Sequence, residues 1–189
     1  MGITLVRNED IFIEWSVRNA LPFCDEFILA DHQSSDGTPE ILQRLAAEFP
    51  DKIRHHRIHH PRESHELLRP YMDSDCWIFG VDGDEIYDPI GLSKFRDELE
   101  RGAFKDTWVL FGNVLNVKSL ALPDRKASGH LAPPCRSMTK LYNFSAIKDW
   151  KGNCLERLHG GEIIFHAGFD ESNRTDYYKV TPWEQSVFR

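Results

Sequence analysis

The chain has 189 residues, 41% of them apolar and 28% charged, which suits a single globular domain of ordinary size and excludes disorder as a description of the whole. Lys plus Arg total 23 against 30 Asp plus Glu, a formal charge of −7. That is the reverse of the balance a counterion-driven nucleic-acid binder needs, so no nucleic-acid partner is expected. No apolar run approaches the ~20 residues that span a bilayer, and residues 1–10 lack a signal-peptide pattern. The expected location is the cytoplasm, with room for a peripheral membrane contact.

Strand and helix signals alternate through the first 115 residues. Residues 3–6 (ITLV) read as a short buried strand, followed by polar Arg7-Asn8-Glu9-Asp10 and a helix carrying Phe12, Trp15 and Val17. Residues 26–31 (EFILAD) read as a second strand, ended by the turn-rich HQSSDG. Thr38 is placed to cap the next helix with Pro39 in its first turn, and Ile41, Leu42, Leu45, Ala46 and Phe49 recur at helical spacing. A third strand is predicted over 52–58 and a short helix over 63–72.

Residues 76–81 (CWIFGV) are the most strand-like run of this half and end in Asp82-Gly83-Asp84-Glu85. Asp88 and Pro89 then supply a cap and a first turn, Leu92, Phe95 and Leu99 mark a helix face, and Gly102 closes it. Residues 108–117 read as one strand. Residues 118–136, with Pro123, Gly129, Pro133 and Pro134, read as a loop and a candidate lid. Strand-like pieces follow at 138–144 and 162–166. Strands alternating with helices imply parallel pairing through right-handed crossovers, hence an α/β layered fold with a mainly parallel central sheet flanked by helices and a smaller, irregular C-terminal subregion.

Charge is unevenly distributed. Residues 52–69 carry five bases (Lys52, Arg54, Arg57, Arg62, Arg69) and five histidines, whereas residues 73–88 carry six acids and no base. A positive block beside a negative one is what an anion and a divalent metal need together, although a solvated face gives the same counts. In an open parallel sheet, ligands bind at the carboxyl ends of strands near the switch in strand order. Two acidic segments fall there, Asp31 to Asp36 and Asp82 to Glu85. Residues two apart in an extended chain point the same way, so Asp82 and Asp84 are candidates to converge on one hard cation, Mg²⁺ or Mn²⁺. A plain surface turn explains D-G-D-E equally well, and Asp36 also reads as a helix cap. Cys24, Cys76, Cys135 and Cys154 are widely separated without a C-x-x-C pair, and read as reduced thiols.

Taken in order, VRNEDIFIEW, ADHQSSDGTPEIL and WIFGVDGDEIYDP resemble the nucleotide-sugar domain of family 2 glycosyltransferases, which have the GT-A fold, a Rossmann-like layered arrangement. The later KLYNFSAIKDWKGNCLERL is similar to a strand followed by W-x-G-x-x-H-E-x-L in bacterial members, and FHAGFD to their H-x-G-Y segment. The resemblance divides the single domain into a nucleotide-sugar-binding region, 1–117, and an acceptor-side subregion, 118–189. It implies substrate binding by Arg7, Asn8 and Glu9, and contacts from Asp31 and Asp36 to base and ribose. It also implies a metal, Mn²⁺ or Mg²⁺, held on the diphosphate by Asp84 with Asp82 beside it, and His166 as a further ligand. Glu156 falls where the family shows the Glu of H-E, a candidate general base. Leu155 replaces the usual His, and Asp149 and Glu85 compete for that role. Arg62 and Arg69, just before the acidic strand, are candidates to face the phosphates, with a solvated helix face as the alternative.

The implied activity is transfer of a sugar from a nucleoside-diphosphate donor to a hydroxyl on a glycan, lipid-linked or polymer acceptor, metal-dependent and inverting by direct displacement. Two alternatives stay open: a nucleotidyltransferase using the same kind of site, and a catalytically inactive nucleotide-sugar- or carbohydrate-binding module.

Overall fold

The computed structural model describes residues 1–113, 116–121, 126–130 and 137–176. Its centre is a seven-stranded sheet. In chain order the strands are β1 (Gly2–Val6), β2 (Phe27–His32), β3 (Ile53–Ile58), β4 (Trp77–Val81), β5 (Val109–Asn113), β6 (Asn116–Ala121), β7 (Lys126–His130), β8 (Ser137–Asn143), β9 (Ile147–Glu156), β10 (His159–Phe165) and β11 (Arg174–Asp176). The large sheet has the order β11-β5-β8-β4-β1-β2-β3. β1 pairs in parallel with both β2 and β4, β2 pairs in parallel with β3, and β11 with β5; β8 alone runs antiparallel, between β4 and β5. The α/β layered architecture with a mainly parallel sheet is therefore as the sequence predicts. Residues on both sides of position 117 contribute strands to this one sheet.

Both faces of the sheet are covered, which is why β2 is buried at five consecutive positions. Alternation sends Phe27 and Leu29 to one face and Ile28 to the other. On the first face Phe27, Leu29, Phe79, Val81 and Leu110 pack under three helices, α1 (Ile13–Ala20), α2 (Thr38–Glu48) and α3 (Pro89–Glu100). Phe79 is held edge-on by Phe23 and Tyr87 at 5.0 and 5.1 Å; burying a side chain of this kind contributes about 1.5–3 kcal/mol. On the second face Ile28, Ile78, Val109, Tyr142 and Trp150 pack under a run of 3-10 turns (Pro61–Tyr71) and the β9–β10 hairpin.

The helix ends follow their sequence signals. Asp88 Oδ1 accepts from Ile90 N at 3.2 Å to cap α3, and Gly102 takes φ +75° just beyond it. α2 begins at Thr38 rather than after it, because Asp36 supplies the capping oxygen to Thr38 N at 3.0 Å. In α1, Val17 faces the core as expected, whereas Phe12 and Trp15 stand 47% and 51% exposed. The short helix predicted over 63–72 is a 3-10 run starting earlier, at Pro61.

The largest departures lie after residue 108. The single strand predicted over 108–117 is two. β5 is described to Asn113, opposite Ser137 of β8, whereas β6 pairs antiparallel with β7 in a separate sheet. Residues 118–121 and 126–130 of the predicted loop and lid are thus an extended ribbon, and the rest of 118–136 lies outside the described residues. β9 has no counterpart among the predicted strands. Cys24 and Cys76 are free thiols; Cys135 and the Cys154 side chain lie outside the described residues. Among the described residues, no helix is long and apolar enough to cross a membrane.

Candidate functional site

The chain runs from β1 outward through β2 to β3 and then returns to the other side of β1 as β4, so strand order reverses between β1 and β4. In such sheets the crevice outside the carboxyl ends at this point is where ligands bind. Residues 7–10, 31–38 and 82–85 follow β1, β2 and β4 and meet there.

The first two segments are joined by backbone-to-side-chain hydrogen bonds. Asn8 adopts a left-handed φ of 59°, a conformation Asn tolerates better than most residues. Its N–H donates to Ser34 Oγ at 3.0 Å and its Oδ1 accepts from Ser35 N at 2.8 Å. Glu9 N donates to Thr38 Oγ1 at 2.8 Å, and Asp36 Oδ2 accepts from Asp10 N at 3.3 Å. Desolvation opposes the Asp36 charge, but hydrogen bonds from Thr38 and Asp10 outweigh it and hold its carboxyl below the usual range. Asp36 is thus a cap and a clasp. Arg7 is exposed.

Asp31 is fully buried at the end of β2. Its Oδ1 accepts from Ser34 N at 2.9 Å. Its Oδ2 has no hydrogen-bond partner among the described residues and meets only Arg57 Nε, on the neighbouring strand, at 3.7 Å. A buried carboxylate oxygen left unpaired is costly, and a ligand donor reaching it would remove that cost.

The third segment is organised differently. Glu85 N donates to Asp82 O at 3.2 Å, so the chain turns at Gly83 instead of staying extended. A Cβ on Gly83 would sit 2.9 Å from Val6 Cγ1, and only glycine lets this turn pack on the end of β1. The turn also separates the two aspartates, contrary to the alternation expected of an extended strand. Asp82 points inward, its Oδ1 accepting from Arg157 Nη2 at 2.7 Å and its Oδ2 from Lys140 Nζ at 3.3 Å. Lys140 also donates to Glu85 Oε2, which accepts in addition from Tyr87 OH at 2.5 Å. Burial raises the Asp82 carboxyl, but the Lys140 and Arg157 charges outweigh it and hold it below its ordinary value. Asp84 points outward and is exposed.

Lys140 and Arg157 carry no motif and were not among the residues singled out from sequence. Lys140 is 2% exposed. Leu110 pairs with Leu141 and Phe111 with Thr139, so Lys140 is the extra residue of a β-bulge in β8, a device that re-aims a side chain. Its appearance in an otherwise apolar strand end, TKLY, is the only local signal.

The other expected residues are dispersed. Arg62 is exposed on the 3-10 run, while Arg69 is engaged with Glu66 at 2.9 Å and Asp149 at 3.5 Å. Asp149 lies two residues past Ile147, whose carbonyl accepts from Asp73 N, near the amino end of β4. His166 is there too, its Nε2 2.7 Å from Asp73 Oδ1, and β4 separates it from Asp82 and Asp84. The structure therefore does not bring His166 to the aspartates. Glu156 ends β9 beside Arg157, so its backbone lies at the acidic end of the sheet; its side chain is outside the described residues.

Among the described residues no group of three His, Cys, Asp or Glu side chains is arranged to hold a metal. Mg²⁺ needs less from a protein, one or two carboxylates with phosphate oxygens and water completing the shell. Asp84 fits that role. Glu9 adjoins it: burial, then the charges of Asp84, Asp36 and Asp82, raise the Glu9 carboxyl above its ordinary value, a repulsion that a cation would relieve. Asp82, with both oxygens committed to Lys140 and Arg157, does not fit as a direct ligand.

No family model matches the sequence, and no curated protein matches it either. Among solved structures, the chain is similar to the mannosyltransferase PcManGT from Pyrobaculum calidifontis in complex with GDP-Man and Mn²⁺, at 17% identity and TM-score 0.47, over 61% of this chain and 35% of that one. It is similar to S. aureus TarS in complex with UDP at 16% identity and TM-score 0.47, over 77% of this chain and 46% of that one. A 4-diphosphocytidyl-2C-methyl-D-erythritol synthase from Anaerococcus prevotii is similar at 12% identity and TM-score 0.44, over 76% of this chain and 69% of that one. The chain spans about a third to a half of the length of PcManGT and TarS. These likenesses are of general chain course, and the functional reading rests on the site itself.

Proposed function

We propose that this chain carries the nucleotide-sugar site of a GT-A-type, family 2-like glycosyltransferase. In this reading it transfers a sugar from a nucleoside diphosphate to an acceptor hydroxyl with inversion and with help from Mn²⁺ or Mg²⁺. The observation that carries the reading is the division of labour at the switch point. Asp82 and Glu85 are neutralised by Lys140 and Arg157, which leaves Asp84 exposed beside the charge-crowded Glu9, while Asp31 keeps an unpaired oxygen at the end of the adjoining strand. One position suits a metal-bound diphosphate and the other a donor group on a nucleoside.

In this reading Asp31 accepts a hydrogen bond from the nucleoside, and Asn8 and Asp36 hold the two loops that border it. Asp84 and Glu9 hold the cation, which when bound offsets the charge that develops on the departing diphosphate. Glu156 takes the acceptor proton as general base. The acceptor is a glycan, a lipid-linked sugar or a polymer, met by residues after 117. The reading includes a cytoplasmic location, with a peripheral membrane contact where the acceptor is lipid-linked.

Calorimetric titration with UDP, GDP, dTDP and CDP, each with and without Mn²⁺, tests it. One nucleotide is expected to bind only with metal, and Asp84→Ala is expected to abolish that binding. A folded protein that binds none of the four contradicts the reading. Nucleotidyl transfer, the rival on the same site, releases pyrophosphate from a nucleoside triphosphate, whereas glycosyl transfer releases a nucleoside diphosphate; product analysis separates them.

A further inference from the structure

We propose that Arg157 is a positioning residue that clamps the β9–β10 turn, and with it the backbone of Glu156, onto the turn that presents Asp84. The proposal rests on the glycosyltransferase reading above for its kinetic consequence, and on geometry alone for the clamp.

Four observations converge on Arg157. First, it occupies the two-residue turn between β9 and β10 with φ 45°, a left-handed conformation that hairpin turns ordinarily assign to Gly, Asn or Asp. A long side chain in such a conformation persists only where its surroundings over-determine it. Second, its backbone N–H donates to Ser64 Oγ at 2.6 Å, and Ser64 is itself fully buried, so the 3-10 run holds the turn from below. Third, the guanidinium is buried and donates from Nη2 to Asp82 Oδ1 at 2.7 Å, across 75 residues of chain. Fourth, β4 makes room for it: a Cβ on Gly80 would stand 3.0 Å from Arg157 Nη1. Glycine inside a central strand weakens it, so its presence beside the guanidinium marks a place where access outweighs strand propensity.

The clamp joins two parts of the site that belong to different sheets. Asp84 lies two residues beyond Asp82, and Glu156 is the residue before Arg157. β9 and β10 form their own two-stranded sheet, separate from the strand that carries the acids. Lys140 secures Asp82 from within the main sheet, but Arg157 alone of the two cations belongs to the hairpin. In a direct displacement, the base, the acceptor oxygen and the metal-bound diphosphate must align, and a misplacement of about 1 Å can cost on the order of 100-fold in rate.

Arg157→Gly removes the clamp without straining the turn, because glycine favours the observed φ. The variant is expected to stay folded with a lowered unfolding midpoint, because Asp82 loses one of its two cations, and to keep its Mn²⁺-dependent nucleotide affinity within about twofold, while kcat for transfer, or for hydrolysis of the bound nucleotide sugar, falls on the order of 10- to 100-fold. Arg157→Lys, which keeps the charge but loses the planar fork, is expected to recover part of that loss. Unchanged kcat in Arg157→Gly, or a loss of nucleotide affinity as large as the loss of kcat, overturns the proposal.

Amide hydrogen exchange supplies a readout independent of turnover. With the clamp removed, amides in 82–85 and in 156–158 are expected to exchange faster together, each on the order of tenfold, while β1 and β2 are unaffected. Acceleration confined to 156–158 overturns the clamp. If the wild type turns over no nucleotide sugar yet shows the joint acceleration on mutation, the glycosyltransferase reading fails and the clamp stands.

Discussion

The two acidic segments at the carboxyl end of the sheet solve the same problem in different ways. After β2, Asp36 and one oxygen of Asp31 are satisfied by backbone N–H groups from residues 10–38, while the other Asp31 oxygen stays unpaired among the described residues. After β4, Asp82 and Glu85 are satisfied by two buried cations that arrive from 55 to 75 residues away. The first arrangement is local, inexpensive to form and tolerant of exchange with water. The second is long-range and unforgiving, since breaking a buried ion pair by removing one partner strands the other charge. The difference also fixes roles: a turn whose inward acids are locked by cations can hold its outward acid, Asp84, in a set position.

The comparison breaks most visibly at Lys140. Lys140→Met removes the cation shared by Asp82 and Glu85 inside the protein, and is expected to cost about 3–5 kcal/mol in denaturant unfolding. Adding Glu85→Gln to it should return part of that loss; a double variant as unstable as the single one would show that the buried charges are not what destabilises it. Asp82 gives the contrast a pH signature. Its carboxyl titrates in the fold below its ordinary value of 3.8, so its charge contributes stability above that value which disappears as pH falls through the lower, folded one. Asp82→Asn is therefore expected to flatten the acid limb of the stability curve below about pH 4. An acid limb of unchanged steepness would remove Asp82 from that role.

Smaller effects sharpen the same contrast. Gly83→Ala drives a methyl to within 2.9 Å of Val6 Cγ1 and is expected to destabilise by about 1–3 kcal/mol, measured as a lower urea midpoint at unchanged slope. Asp84→Ala, by contrast, changes an exposed side chain and is expected to move stability by less than about 0.5 kcal/mol, although metal-dependent nucleotide binding is lost. A large stability change in Asp84→Ala would mean that this carboxylate, too, belongs to the buried network.

What was legible in the sequence follows from the same distinction between local and distant partners. β1, β2 and β4 announce themselves as apolar runs ending in turn residues. The caps of α2 and α3 are written in Asp36-Gly37-Thr38 and Asp88-Pro89 because capping is settled within three residues. The outward role of Asp84 and the inward role of Asp82 were not legible, since extended-strand alternation predicts the same side for both and the turn at Gly83 defeats it. Nor were Lys140 and Arg157, whose significance depends on a bulge and on a hairpin folding across the sheet. His166 was placed by motif order alone, and the path of β9 and β10 carries it to the amino end of β4 beside Asp73. The division of 108–117 into β5 and β6 was not legible either, because the two differ in their distant partners, β8 for one and β7 for the other.

The outer strand β3 of the large sheet has a consequence for self-association. A strand with one unpaired side offers a row of backbone donors and acceptors to any other extended chain. β3, at one margin, reads Ile-Arg-His-His-Arg-Ile, with Arg54 and Arg57 exposed. Another β3 approaching that margin meets like charge. The molecule thus guards its β3 border by like charge.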